Sequence, residues 1–210
     1  RVMRAATRRC RVPSLRTMRK PASSVRWRAK PEATLTSYRF VDSGTLSRVD
    51  RIDRTGLEAL WIRGPWSLQG EYLRQETTRE LGLPSYSADG GYVLGSWLVT
   101  GESRGYKLDG AKFDSIKPAN KQIGAWEVFY RYDDITVDES AIAPSNAGLL
   151  GLTFDTAEAS AQTHTVGVNW YVNEAVKISA NYLNTSVDDI VNANGDDDGD
   201  AISLRAQYVF

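Results

Sequence analysis

Beyond residue 30 the chain alternates between apolar and polar positions. The last ten residues set the pattern: Ile202, Leu204, Ala206, Tyr208 and Phe210 share one face, while Ser203, Arg205 and Gln207 share the other, with Val209 near the end. One apolar and one polar face at a period of two predicts a β-strand. The same alternation sets Trp126, Val128, Tyr130 and Tyr132 against Glu127, Phe129 and Arg131. It sets Val166, Val168, Trp170 and Val172 against Thr165, Gly167, Asn169 and Tyr171, and Val176, Ile178, Ala180 and Tyr182 against Lys177, Ser179, Asn181 and Leu183. Trp66, Leu68, Gly70 and Tyr72 alternate with Ser67, Gln69, Glu71 and Leu73, and a less regular run surrounds Val93, Gly95, Trp97 and Val99. Residues 55–63 and 33–40 are weaker candidates, the latter with Arg39 between Tyr38 and Phe40.

Eight strands result, most about nine to eleven residues long, against about five or six for an ordinary globular strand. That length crosses a bilayer at a tilt, and Tyr and Trp recur near strand ends, where an aromatic girdle meets the lipid headgroups. A soluble sandwich or lipocalin-like barrel fills its interior with apolar side chains. It leaves Glu71, Glu127, Arg131, Lys177 and Arg205 on the polar faces unexplained. A membrane barrel with lipid outside and water inside explains both faces at once. Gly64-Pro65 and Asn173-Glu174 read as tight periplasmic turns, and residues 41–54, 76–90, 133–161 and 185–200 as long outer loops. Residues 101–121 break this rule. By parity they are periplasmic, yet they are as long as an outer loop, so either short strands hide there or the connection folds up into the lumen.

Composition removes several alternatives. No run of about 18 apolar residues exists, so a spanning helix is excluded. One cysteine, Cys10, and one histidine, His164, leave no intrachain disulfide, thiolate cluster or multi-histidine zinc site. His164 reads as a rim histidine. Asp196, Asp198 and Asp200 have the spacing of a calcium loop, but the position of its closing Glu is Gln207, inside a strand. An acidic outer loop fits better. No nucleophile elbow, phosphate-binding loop or paired-carboxylate spacing stands out, so no enzyme and no cofactor is expected.

The net charge of 0 conceals a seam. Residues 1–30 hold nine arginines, two lysines and no acid, leaving 15 of the 26 bases, against all 26 acids, for residues 31–210. Residues 1–27 show neither helical nor strand periodicity and read as a basic segment outside the barrel, disordered or artefactual. A basic arm binding nucleic acid, with the β part as scaffold, is one class this charge leaves open.

The segments WSLQGEYLRQ (66–75), WLVTGESRGYK (97–107), IKP (116–118), GAWEVFYRYD (124–133), VGVNWYVN (166–173) and VKISANYL (176–183) resemble the phosphate-selective porin O and P family. KPEATLTSYRFVDSG (30–44) and TGLEALW (55–61) fit its preceding part. Phe210, with Tyr208 two before it, resembles the carboxy-terminal signal read by the barrel-assembly machinery. The resemblance covers about residues 28–210. It implies an all-β, antiparallel up-and-down meander of about eight transmembrane strands, the carboxy-terminal half of a sixteen-stranded barrel that assembles as a homotrimer in the outer membrane. It implies passive diffusion of phosphate or polyphosphate, and no nucleic acid. Alternation turns Arg39, Arg131, Lys177 and Arg205 inward, where bases compensate an anion in a constriction. The resemblance adds Lys107 in GESRGYK, Lys117 in IKP, and Arg104 as lumen residues. A blander use for inward bases is to brace the wall by pairing with Glu58, Glu71 and Glu127. An alternative to the channel is a small closed eight-stranded barrel with a structural or adhesive role.

Overall fold

The structure, a computed structural model, describes residues 24–25, 28–29, 41–42, 46–81, 83–107, 112–138, 158–189 and 198–208. Seven long strands dominate it: β1 Val49–Arg63, β2 Trp66–Arg79, β3 Tyr86–Leu98, β4 Ala125–Asp138, β5 Glu158–Tyr171, β6 Val176–Asp189 and β7 Gly199–Tyr208. They form one antiparallel sheet in unbroken chain order. Among the described residues this is an open up-and-down meander, whose edge strands β1 and β7 do not pair with each other. The expected strand at 33–40, and Arg39 with it, lies outside the described residues, as do Cys10, Asp196 and Phe210. Most of the basic segment lies outside them too, although Val25 bridges to Leu46 and Arg28–Ala29 pairs with Val41–Asp42.

The pairing register sorts the side chains onto two faces. Glu127 lies opposite Leu98 and Asn169, while Val128 lies opposite Trp97 and Val168. Ser179 continues the first row on β6 and Ala180 the second. Burial on these faces is the reverse of a soluble protein. Leu204 is 78% exposed and Ile202 75%, whereas Glu127, Thr165, Asn169 and Ser179 are all buried. An apolar face left open while the polar face is covered fits a wall with lipid on one side and water on the other.

The strands are longer than their alternation suggests, 13 to 15 residues for β1 to β6 and 10 for β7. They run into stretches expected as outer loops: β1 begins at Val49, and only residues 80–85 separate β2 from β3. The reason is physical. Beyond the hydrocarbon band the outward positions no longer need to be apolar, so the period-two signal fades while the ladder hydrogen bonds continue. The inward face also changes character there, where Tyr86, Val137 and Val187 are buried.

The two tight turns form where the sequence places them. Gly64 has φ of +58° directly before Pro65, the arrangement of a type II′ hairpin turn. Asn173 closes the β5–β6 turn with its side chain, Oδ1 accepting the Ala175 and Val176 amides at 2.8 and 2.9 Å. Just above these turns, on the apolar face, Trp66 stacks on Trp97 at 5.0 Å and Trp126 on Trp170 at 5.3 Å. They mark the aromatic border of the band. His164, read from the sequence as a rim histidine, sits on the same face farther out, within β5. Its Nδ1 lies 2.7 Å from the Tyr130 hydroxyl and its ring 5.0 Å from that of Tyr132.

Candidate functional site

The β3–β4 connection, residues 99–124, is the feature that no simple hairpin explains. It is tied down at its root, where the Val99 amide donates to the Trp126 carbonyl at 2.8 Å and the Trp126 amide to Thr100 Oγ1 at 3.1 Å. Asn120 shapes its return. The Asn120 carbonyl accepts the Gly124 amide and its Oδ1 the Gln122 amide, both at 2.9 Å. Gly124 then takes φ of +75°, which turns the chain into β4. A Cβ there would stand 2.5 Å from the Tyr171 carbonyl oxygen, so only glycine fits. The Trp170 indole donates to the Ile123 carbonyl at 2.9 Å.

Inside the connection, Tyr106–Lys107 pairs with Lys112–Phe113, a minimal hairpin in a stretch where short strands were one of two expectations. Glu102 staples the two legs together, accepting the Thr100 hydroxyl on one oxygen and the Ala119 amide at 3.1 Å on the other. Partial burial raises the pKa of this carboxyl, but the Thr100 and Ala119 donors outweigh it and hold the group below the ordinary carboxylate value.

Two contacts lay the connection against the polar face of the sheet. Ile116 is buried with Leu98 and Ala125 and packs on Tyr171. Arg104, itself half-buried, reaches the buried Glu127 as an ion pair, with the Tyr171 hydroxyl 3.4 Å away and the Phe113 ring 4.9 Å from the guanidinium. Glu127 also accepts Tyr171 Oη at 2.8 Å and Asn169 Nδ2 at 2.9 Å, and Asn169 Oδ1 accepts Ser179 Oγ at 2.7 Å. The result is a polar network spanning the connection, β4, β5 and β6. A carboxylate this buried is costly unless charge and hydrogen bonds surround it, and here they do.

The expected lumen bases fall into distinct environments. Arg104 is inserted into the wall beside Glu127. Lys107 pairs within the connection with Asp114 at 2.6 Å, and Lys117 reaches Glu174 of the β5–β6 turn at 3.4 Å, both as exposed pairs. Arg131 pairs with Asp133 at 2.5 Å and lies over the Tyr92 ring at 4.3 Å. Lys177 lies over the Tyr171 ring at 5.6 Å, adjoining the Glu127 network. Arg205 is exposed on β7, opposite Ser179. Alternation did place Arg131, Lys177 and Arg205 on the face that carries Glu127. The connection brings Arg104 to that same face, near Lys177. Among the described residues, no cluster of three metal-ligating side chains occurs.

The sequence pattern of phosphate-selective porin O and P proteins matches residues 15–210, beginning inside the basic segment. The chain belongs to the phosphate-selective porin O and P family. It is therefore an outer-membrane β-barrel protein. It is 51% identical over 156 residues to Porin O of Pseudomonas aeruginosa, covering 74% of this chain and 34% of Porin O. It is 25% identical over 125 residues to an uncharacterized protein of Caulobacter vibrioides, covering 57% of this chain and 24% of that protein. The chain thus spans about a third or less of the length of these relatives.

The sequence named Glu127, with Glu58 and Glu71, as an acid that inward bases could pair with to brace the wall, but it did not match Glu127 to Arg104 or point to Asn169, Tyr171 and Ile116 as their supports. The available signal was an acid at an inward strand position, opposite a connection too long for a turn.

Proposed function

We propose that this chain forms one wall, and the internal strap, of a channel for passive anion-selective diffusion of phosphate. Polyphosphate presents the same groups and would use the same path. The observation that carries this reading is that the described residues of the 99–124 connection lie, through Arg104 and Ile116, on the polar face of a sheet whose other face is apolar and open. A strap inside a barrel narrows its water path, and the bases it carries then act at short range on a permeant ion. Lys107 and Lys117 on the strap, with Arg131, Lys177, Arg205 and Arg39 on the wall, are the proposed anion-contacting groups, and Arg104 is the proposed lumen base whose charge Glu127 holds. The ion pairs made by Lys107 and Lys117 are exposed and screened, so an anion competes for these ammonium groups. Such weak, exchangeable binding suits passage rather than capture.

β1 and β7, the edge strands among the described residues, do not pair with each other, and in a closed barrel each would meet a further strand. Homotrimer assembly, and delivery to the assembly machinery through Phe210, belong to the same proposal.

The decisive experiment is a planar-bilayer recording on the full-length protein. The double variant Lys107→Glu/Lys117→Glu is expected to weaken phosphate block of chloride current and to move the reversal potential toward cation selectivity. The effect should shrink as salt rises, because the Debye length at physiological ionic strength is about 8 Å. An unchanged anion preference would leave these two lysines as ordinary solvated charges.

A further inference from the structure

A carboxylate in the wall of an anion channel repels the permeant ion, so Glu127 calls for an explanation. It is the one buried charged residue among the described residues, and donors from the connection and from the wall converge on it. Arg104 comes from the connection, and Asn169 and Tyr171 from β5, with Asn169 fixed in turn by Ser179 of β6. The other ion pairs of the connection do not perform this task. Lys107–Asp114 lies within it, and Lys117–Glu174 joins two exposed side chains. The apolar contact of Ile116 secures the returning leg. On the leg that runs from Gly101 to Gly105, Arg104 is the side chain that enters the wall.

We propose that Glu127 is a positioning residue for permeation: it captures Arg104, and so holds the connection against the wall and sets both the width and the fixed charge of the lumen at that level. Its negative charge is consumed by Arg104 and is not offered to the pore. Arg104 is held in place by the same contact, which leaves Lys177, beside the network, as the nearest base on the wall. The effect on permeation rests on the channel reading above; the anchoring does not.

The test uses the full-length protein in outer membranes. Three variants are compared: Glu127→Gln, Glu127→Ala and Arg104→Met, the last lying outside the strands and sparing the barrel ladder. Heat-modifiable migration checks that each barrel has folded. Trypsin then reads the connection through its own bases, Lys107 and Lys117 among them. Cleavage there should rise on the order of tenfold in Glu127→Ala and Arg104→Met, because proteolysis follows the population of the opened segment. Glu127→Gln keeps the side-chain shape but frees the Arg104 charge, so the chloride-to-potassium permeability ratio should rise. A purely structural role would not move that ratio. The exchanged pair Arg104→Glu/Glu127→Arg should restore much of the protease resistance. Unchanged resistance in both Glu127→Ala and Arg104→Met overturns the anchor. An unchanged permeability ratio in Glu127→Gln overturns its part in permeation. Absence of anion current in the unmodified protein overturns the channel reading instead, and leaves the protease result to decide the anchor.

Discussion

Leu204 and Ser203 are adjacent on β7 and point to opposite faces, which makes them a direct test of which side of this sheet meets lipid. Leu204 is 78% exposed and lies opposite Ala180, in the apolar row that continues through Val168. Tyr208 lies four positions from it on one side and Asp200 four positions on the other. At about 3.4 Å per residue that is ~13 Å along the strand in each direction, or ~10 Å of depth at a strand tilt of about 40°. Leu204 therefore sits near the middle of the apolar band. An arginine at the bilayer midplane of a membrane barrel costs about 2–4 kcal/mol, which is roughly a 30- to 1,000-fold change in the folding equilibrium. Ser203, opposite Asn181 on the polar face, should accept arginine within about 0.5 kcal/mol. The assay is equilibrium unfolding of the full-length protein in lipid vesicles, followed by heat-modifiable migration across a denaturant series. Leu204→Arg should shift the midpoint strongly downward, and Ser203→Arg should leave it in place. A neutral Leu204→Arg beside a damaging Ser203→Arg would refute the assignment of faces, and the lumen with it.

Two glycines with positive φ provide a graded pair. Gly124→Ala should cost about 2–4 kcal/mol, since left-handed strain adds to a clash with the Tyr171 carbonyl. Gly64→Ala, with nothing within 4 Å of the new Cβ, should cost only about 1–2 kcal/mol in the same unfolding assay. Equal losses at the two sites would remove the steric argument. Glu102 predicts a pH dependence. Its pKa is lowered in the folded connection, so its stabilisation is complete above the ordinary carboxylate value and is lost as pH falls through the folded one. The hydrogen-exchange protection factor of the Ala119 amide should drop on acidification in the unmodified protein. In Glu102→Gln it should be low and pH-independent, and a pH-insensitive unmodified protein would contradict the staple.

Alternation alone was enough to determine the strand class, the antiparallel meander and the side each residue faces, because a period of two assigns faces without reference to any partner. It placed Val128 outward and Glu127, Lys177 and Arg205 inward before any register was known. Turn chemistry did the same for Gly64-Pro65 and for Asn173, where the signal is local to a few residues. Strand ends were beyond its reach, since Val49 or Asp138 lies where no hydrocarbon enforces the pattern. The apolar inward positions at Tyr86 and Val137 were likewise invisible to a rule that expects water on that side. The site depended on tertiary structure for a different reason. Arg104 and Glu127 are 23 residues apart, and Glu127 and Tyr171 are 44 apart. Neither distance leaves a mark on local periodicity. What joins them is the register of β4 against β5, set along a whole ladder of paired residues, and the return of the connection onto the wall, where Ile116 is buried and one carboxylate is satisfied.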